Sequence, residues 1–159
     1  MAVLKIRTTP DPVLRKKAKK IASVDDSIRK LIDDMIETMH EASGVGLAAN
    51  QVGVPLRIVV IQVPEQEVLV LVNPVVVEAK GKRLVVEGCL SVPGYQAEVP
   101  RAESVRIQAR DRKGKLFRKR GSDLLAQAMQ HEIDHLNGIL YIDYLTDKDQ
   151  LLKTGSEIE

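Results

Sequence analysis

The first strong pattern of apolar and polar residues predicts a helix over residues 26–42. Its apolar residues recur at the i, i+3, i+4 and i+7 positions that give a helix one buried face. They are Ile28, Leu31, Ile32, Met35, Ile36 and Met39. Asp25 or Asp26 can cap the start, and Ser43-Gly44 ends the pattern.

After this helix, short runs rich in β-branched residues follow one another and predict strands. Polar turns such as the PEQE segment separate them, a spacing typical of an antiparallel or mixed sheet and not of βαβ repeats. Residues 2–7 alternate loosely and predict an edge strand. The glycine-rich segment 44–54 is predicted to be a loop. The other predicted strands are 57–63, 68–74, 75–78, 82–86, 95–100, 104–111 and 116–120.

A second major helix is predicted from Ser122 or Asp123 to about Leu136, and it ends at Asn137-Gly138. One stripe of this helix carries Leu124, Ala128, His131 and His135. The two histidines share this stripe with apolar residues, which indicates that they face the interior. Because a buried imidazole needs a partner, a metal ion is a good candidate.

The two histidines belong to the segment QHEIDHLNG, in which Glu132 directly follows His131. Side chains four residues apart lie one turn apart on the same face of a helix. Two such imidazoles can bind one metal ion, and the neighbouring carboxylate can reach a water molecule on it. The H-E-x-x-H pattern is therefore a candidate metal-hydrolysis motif.

The third ligand is predicted to be Cys89. It is the one cysteine in the chain, so an intrachain disulfide is impossible, and the third histidine, His40, is predicted to lie at the surface. A Cys, His, His set leaves one position of a tetrahedral ion open, which is typical of catalytic sites. Glu132 is then the expected general base, and the Gln51 amide and the Leu90 N–H are candidate oxyanion donors.

Composition narrows the class of protein. The 159 residues fit one domain, with 44% apolar and 29% charged residues. The net charge of +2 does not by itself indicate nucleic acid or an anionic membrane as a partner. No apolar run approaches the ~20 residues of a membrane span. We therefore expect a cytoplasmic protein, with residues 1–159 as one catalytic domain and about 146–159 as a polar tail.

Two basic clusters stand out from this balanced composition. One comprises Lys16, Lys17, Lys19 and Lys20, and the other comprises Arg118, Lys119 and Arg120. We interpret both as solvated faces. Contact with RNA or another acidic partner is the alternative for the first.

Three segments together resemble a known family. GVGLAANQ (44–51), EGCLSVPG (87–94) and QHEIDHLNG (130–138) are similar to the three motifs of peptide deformylase, in that family's order. Flanking residues 10–14, 73–74 and 99–101 resemble it as well. The resemblance implies an α+β fold in which antiparallel or mixed β-sheets pack around the C-terminal helix. It also implies removal of the formyl group from N-formylmethionine of nascent polypeptides.

The resemblance assigns roles to individual residues. Cys89, His131 and His135 are implied metal ligands, and Glu132 is the implied base. Gln51 and the Leu90 amide are implied to stabilise the transition state. The substrate cleft is implied to be lined by Gly46 and by Gly88 or Glu87, with Val45, Val85, Leu124 and Ala128 as candidates for a methionine pocket.

The resemblance also implies a cofactor and partners. The ion would be Fe²⁺, with Zn²⁺, Ni²⁺ or Co²⁺ as alternatives, although the ligands alone would suggest zinc. The expected partners are nascent N-formylmethionyl peptides, with no DNA and no membrane. A transient ribosome contact stays open, but the short tail with Glu157 and Glu159 lacks the charge of a basic docking helix. Gln96 stands where many members have arginine, which puts a charged substrate contact there in doubt.

Two other functions are alternatives. A zincin-like metallopeptidase would need a downstream third ligand, for which Asp143 is the nearest carboxylate. A ribosome-associated binding protein with a structural metal would not need Glu132. Cys89 weighs against the first alternative, and Glu132 weighs against the second.

Overall fold

The computed structural model describes residues 2–154, which form two α-helices and eight strands. The helices are α1 (Asp26–Glu41) and α2 (Asp123–Leu136). The strands are β1 (Gly46–Ala48), β2 (Ile58–Ile61), β3 (Leu69–Lys80), β4 (Arg83–Cys89), β5 (Val92–Arg101), β6 (Ser104–Arg110), β7 (Leu116–Ser122) and β8 (Leu152–Lys153). Within this range, no helix is both long enough and apolar enough to cross a bilayer.

A five-stranded antiparallel sheet forms the centre of the fold, in the order β1-β2-β3-β6-β7. Alternate residues of its strands point to opposite faces. Val59, Ile61 and Ile107 pack on one face in the cluster that contains Met129 and Ile133 of α2. The other face packs against α1 in a second cluster, which comprises Ile32, Met35, Met39, Leu47, Ala49, Val52, Ile58, Val60 and Val72. The sheet is therefore held between the two helices.

A second, three-stranded sheet has the order β4-β5-β8. The β4–β5 hairpin places Val92, Ala97 and Val99 in a third cluster with Leu140 and Tyr141, which follow α2 in the chain. The end of α2 is fixed by Gly138, whose φ is +75°. A side-chain Cβ there would lie 2.5 Å from the Arg15 carbonyl oxygen. The glycine therefore allows the chain to turn tightly after α2.

Most predicted elements are present, but three expectations were wrong. Residues 2–7 form no strand, because side chains of α1 bind their backbone: Ala2 N–H donates to Asp34 Oδ1 at 2.7 Å and Leu4 N–H to Thr38 Oγ1 at 2.8 Å. The segment 44–54, predicted as a loop, contains β1 and a 3₁₀ turn. Strands predicted separately at 68–74 and 75–78 form one strand, β3.

Asn73 explains how β3 continues where a break was predicted. Its backbone has a φ of +53°, a conformation that asparagine tolerates better than most residues. Its side chain accepts from Ile21 N–H at 2.9 Å and donates to the Ile21 carbonyl at 2.8 Å. These two bonds join the segment before α1 to β3, with a register shift in the pairing to β6 nearby.

We predict that Asn73→Ala lowers the free energy of unfolding by about 1–3 kcal/mol, because two backbone groups of Ile21 lose their partners. Chemical denaturation followed by circular dichroism would measure this change. Gln108→Ala is the control, since it removes one exposed hydrogen bond with Arg118 and should cost less than about 0.5 kcal/mol. Equal effects of the two substitutions would contradict the assigned role of Asn73.

Candidate metal centre

The two histidines of α2 meet Cys89 at the end of β4. The Cys89 Sγ lies 3.3 Å from His135 Nε2. One donor atom from each of Cys89, His131 and His135 lies within 4.8 Å of the other two. The imidazole rings are edge to face, with centroids 5.0 Å apart. The helical spacing therefore produces the paired arrangement that the sequence predicted.

Cys89 reaches the helix because the β4–β5 pairing is irregular at that point. The register shifts between Glu87 and Cys89, which indicates a bulge. The Ser91 N–H lies 3.4 Å from the Cys89 Sγ and donates to it. A backbone donor of this kind stabilises negative charge on sulfur.

Glu87 orients the His131 ring from behind. Its Oε1 lies 2.8 Å from His131 Nδ1, which leaves Nε2 as the nitrogen that can face a metal ion. Arg101 donates to both oxygens of Glu87, at 2.7 Å each, and also to Asp134 Oδ2 at 2.7 Å. Burial alone would raise the pKa of Glu87, but the bonds from Arg101 and His131 hold this pKa below its usual value.

Sequence reasoning missed the Arg101 and Asp134 partners. Arg101 was noted only as flanking a motif, and its side chain is 3% exposed at the centre of the network. One signal could have identified Arg101. It follows Ala97 and Val99 at every second position of β5, so it lies on the face of the strand that is buried. Tyr144 extends the network, because its hydroxyl donates to Asp134 Oδ2 at 2.7 Å and Arg101 lies over its ring.

Glu132 lies beside the three candidate ligands and is itself buried. Its Oε1 has no hydrogen-bond partner among residues 2–154, and its Oε2 lies 3.9 Å from His131 Nε2. Burial raises the pKa of Glu132 to about 7, with His131 opposing this effect. Such a carboxyl group can both accept and release a proton near neutral pH.

Gly46 permits this placement of Glu132. A Cβ at position 46 would lie 2.7 Å from Glu132 Oε2. A side chain there would therefore displace the carboxylate. The family resemblance implies that this glycine lines the substrate cleft, and the structure shows that it also makes room for Glu132.

Burial and neighbouring charge shift the two histidines in opposite directions. Burial, and then the charge of His131, lower the pKa of His135 well below its ordinary value. Burial also opposes a charged His131, but Glu132, Cys89 and Glu87 together raise its pKa well above the ordinary value. The groups around His131 therefore favour positive charge at this position.

Gln51 approaches Cys89 from the segment that follows β1. It belongs to the 3₁₀ turn Ala49–Val52, and its Oε1 accepts from Ala48 N–H at 3.0 Å. This bond orients the amide, so Nε2 donates to Ser91 Oγ at 3.1 Å and lies 3.7 Å from Cys89 Sγ. Sequence reasoning missed Ser91, which is completely buried and fixes the amide in place.

The residues present fit a divalent metal ion. A cysteine sulfur and two imidazoles are ligands that transition metals accept, and one donor atom from each lies within 4.8 Å of the other two. The unpartnered Glu132 Oε1 lies beside them, where water on an ion would need an acceptor. Glu87 supplies the outer carboxylate commonly found behind a ligating histidine.

A cavity of about 520 Å³ opens over this centre. Every predicted cleft residue except Val85 lines it: Val45, Gly46, Glu87, Gly88, Leu90, Leu124 and Ala128, together with Gln51, Cys89, His131 and Glu132. Val85 instead packs beside Val92 and Ala97, and its neighbour Val86 lines the cavity. Sequence reasoning missed the wall formed by Tyr95, Gln127 and Thr154.

Two other predicted side chains lie outside the centre. His40 is exposed, as predicted, with Nε2 2.6 Å from Gln62 Oε1. Asp143, the ligand that a zincin-like peptidase would need, instead pairs with Arg15 at 2.6 Å and 3.0 Å. Glu157 and Glu159 of the predicted acidic tail lie outside the described residues.

Comparisons with known proteins agree with the resemblance in sequence. Residues 3–151 match the family described as polypeptide deformylase. A peptide deformylase of Dehalococcoides mccartyi is 54% identical over 160 residues, which cover 100% of this chain and 96% of the relative. A peptide deformylase of Alkalilimnicola ehrlichii is 49% identical over 150 residues, which cover 92% of this chain and 84% of the relative.

Solved structures agree as well. A peptide deformylase from Legionella pneumophila superimposes with a TM-score of 0.91 at 48% identity, over 94% of this chain and 89% of that one. A peptide deformylase from Ehrlichia chaffeensis, in complex with actinonin, superimposes with a TM-score of 0.92 at 42% identity, over 94% of this chain and 92% of that one. The predicted α+β fold is therefore confirmed.

We predict that Glu87→Gln weakens binding of a divalent ion by about 10–100-fold, because His131 loses its charged acceptor and Arg101 its partner. Competition with a chromogenic chelator would measure the affinity. Glu98→Gln removes an exposed carboxylate on the neighbouring strand β5 and should leave metal affinity unchanged. Unchanged affinity in the Glu87 variant would show that the carboxylate does not orient His131.

Proposed function

This chain belongs to the polypeptide deformylase family, and we propose that the centre formed by Cys89, His131 and His135 is its active site. The protein is a metal-dependent hydrolase that removes the formyl group from N-formylmethionine of nascent polypeptides. One observation supports this assignment of the site. Donor atoms from two distant motifs converge within 4.8 Å, beside a buried carboxylate oxygen that has no partner among residues 2–154.

Cys89, His131 and His135 hold the ion in this proposal, and Fe²⁺ is the ion that we propose. The family resemblance favours iron, whereas the ligands equally suit zinc, nickel or cobalt. When bound, a divalent ion supplies Lewis acidity, which lowers the pKa of water and polarises a carbonyl group.

Glu132 moves the proton in the proposed reaction. Its Oε1 takes a proton from the attacking water while the water oxygen forms a bond to the formyl carbon. It then delivers this proton to the departing nitrogen as the carbon–nitrogen bond breaks. The products are formate and a free amino terminus. The pKa of about 7 suits Glu132 to both steps.

Gln51 and the backbone N–H of Leu90 stabilise the negative charge that develops on the formyl oxygen. The Gln51 amide is held by Ala48 and Ser91 before substrate arrives. It therefore needs little reorganisation when charge develops. Leu90 directly follows the ligand Cys89 and lines the same cavity.

The substrate peptide lies as an added strand between the two sheets. β1 is the terminal strand of the five-stranded sheet, and β4 is the terminal strand of the three-stranded sheet. Gly46 and Gly88, one from each strand, line the cavity between them. The methionine side chain occupies a pocket walled by Val45, Val86, Leu124 and Ala128, all of which line this cavity.

The wider assignments rest on the family resemblance. Residues 1–159 constitute one catalytic domain, and the enzyme acts in the cytoplasm on chains that carry N-formylmethionine. A transient contact with the ribosome would bring it to these chains. Neither DNA nor a membrane is a partner in this proposal.

The two alternative functions fit the structure less well. A zincin-like centre would need Asp143 as a ligand, but that carboxylate is paired with Arg15. A purely structural ion would leave Glu132 buried beside the centre without a role. Burying an unpaired carboxyl group costs stability, so its presence favours a catalytic function.

We predict that Glu132→Ala lowers kcat by about 10²–10⁴-fold on formyl-Met-Ala but keeps the ion, because Glu132 moves protons and is not a ligand. Release of free amine would measure activity, and atomic absorption would measure bound metal. Glu98→Ala, on the exposed face of β5, is the control. Loss of the ion together with folding would favour a structural role instead.

The substrate assignment has its own test with the unaltered enzyme. Acetyl-Met-Ala differs from formyl-Met-Ala by one methyl group, so a deformylase should release amine from it far more slowly. Equal turnover of the two peptides would exclude the deformylase assignment and favour a general amide hydrolase.

We predict that enzyme purified in air loses activity, whereas enzyme purified under argon or substituted with nickel keeps it. The reason is that ferrous iron and the Cys89 thiolate are both open to oxidation. Half-lives of activity at fixed temperature, paired with metal analysis, would measure the difference. Identical decay in all three preparations would favour zinc as the native ion.

A further inference from the structure

One face of the five-stranded sheet carries a set of arginines that the proposed reaction does not use. Residues directly opposite each other on antiparallel strands point to the same side. The register pairs Arg106 with Arg120, Gln108 with Arg118 and Arg110 with Leu116. We call Arg106, Arg110, Arg118 and Arg120 the arginine face. Arg110, Arg118 and Arg120 are exposed, and Arg106 is half-buried.

On the same side of the sheet, the neighbouring strand β3 adds one charged pair that carries no net charge. On β3, the residues paired with β6 on the same side include Lys80 and Glu78, and these two form an ion pair at 3.2 Å. Glu78 is the one acidic residue among these outward-facing pairs of the described strands. The net charge of the whole chain is only +2. Positive charge is therefore concentrated on this surface.

This arrangement is unfavourable for the sheet by itself. Arg106 and Arg120 lie directly opposite each other, and like charges in this position destabilise a pair of strands. Arg112, in the turn between β6 and β7, has a partner of opposite charge, because it is paired with Asp33 of α1 at 2.7 Å. Glu78 lies opposite Arg106 on β3 and offsets part of this repulsion, but it is also paired with Lys80. A local arrangement that opposes stability is typical of a functional surface.

We propose that the arginine face binds the phosphate backbone of double-stranded RNA. Guanidinium groups are planar, always charged and suited to bidentate contact with phosphate. Two of them are already held in place: Arg118 donates to Gln108 Oε1 at 3.2 Å and Arg110 to the Gly114 carbonyl at 3.0 Å. Side chains held in this way lose less entropy on binding than free ones.

The shape of the surface favours RNA over DNA. The arginines lie on two strands of a five-stranded sheet, and not on a free helix or ribbon that could enter a major groove. The minor groove of A-form RNA is wide and shallow, and proteins recognise it largely by shape and by phosphate contacts.

The same residues favour RNA over a membrane. Binding to a membrane surface uses apolar and aromatic side chains that insert between lipids. The outward residues of β6 and β7 include no aromatic residue, and Leu116 is the one large apolar side chain among them, at 50% exposure. On β3, the smaller Val75 lies opposite Gln108 and is 46% exposed. Phe117 points to the opposite side, where it packs against the core.

Binding at the arginine face would leave the candidate active site accessible. The alternate residues of β6, Val105, Ile107 and Ala109, pack in the cluster that contains α2. The arginines therefore lie on the side of the sheet away from α2, which carries His131 and His135. The protein could then engage RNA and a peptide at the same time.

The experiment measures binding of a fluorescein-labelled RNA hairpin of about 20 base pairs by anisotropy, over a range of salt concentrations. The double variant Arg118→Glu, Arg120→Glu is compared with the unaltered chain. We expect its affinity to fall at least about tenfold, and its slope of log K against log salt to become shallower by about two. Its hydrolysis of formyl-Met-Ala should not change.

The matched control is the double variant Lys17→Glu, Lys20→Glu. It makes the same change of net charge at two exposed residues of the other basic cluster. It should bind RNA within about twofold of the unaltered chain. An equal loss of affinity in both double variants would attribute binding to net charge and overturn the proposal.

Three further outcomes decide among the possible partners. Failure of the unaltered chain to bind the hairpin at low salt would overturn the proposal. Equal affinity for a DNA duplex of the same sequence would overturn the choice of RNA and show that the arginine face binds polyanions in general. Binding to vesicles rich in phosphatidylserine that is stronger than binding to RNA, and lost in the Arg118, Arg120 variant, would identify a membrane surface instead.

Discussion

The buried ion pair between Glu87 and Arg101 is the interaction on which the site depends. It joins β4 to β5, and through His131 and Asp134 it joins both strands to α2. Leaving one buried charge without its partner typically costs about 3–5 kcal/mol. The three-stranded sheet and α2 therefore cannot separate without exposing this pair. The same contact that connects the elements also fixes which nitrogen of His131 can face Cys89 and His135.

Local patterns in the sequence predicted the parts of the site that lie on one element. Both histidines follow from helical spacing, and their burial follows from the apolar stripe that they share. Cys89 could be paired with them because the chain offers no other thiol. These inferences needed only neighbouring residues and composition, and the structure brings the three side chains together.

The supporting residues could not be predicted, since their partners are distant in the chain. Ser91 acts on Gln51, 40 positions away, and Thr154 reaches the cavity only because β8 pairs with β5. The wrong strand prediction at residues 2–7 has the same cause. The loose alternation of apolar and polar residues predicted a strand, whereas side chains of α1 bind the backbone of this segment. The periodicity of apolar residues predicts which face of a helix or strand is buried, but it does not predict which distant residues pack against that face.

Around β6, the two faces of the five-stranded sheet provide different environments, one buried and one solvated. On the α2 side of the sheet, exclusion of water raises the pKa of Glu132 and strengthens the contacts that orient His131 and Gln51. On the other side, beyond the edge of α1, arginines remain in solvent, where their mutual repulsion is weakened by water and salt. A single antiparallel sheet provides both environments because its residues alternate. A buried position that packs toward α2 and a solvated position that carries charge can therefore lie one residue apart on the same strand, as Ala109 and Arg110 do.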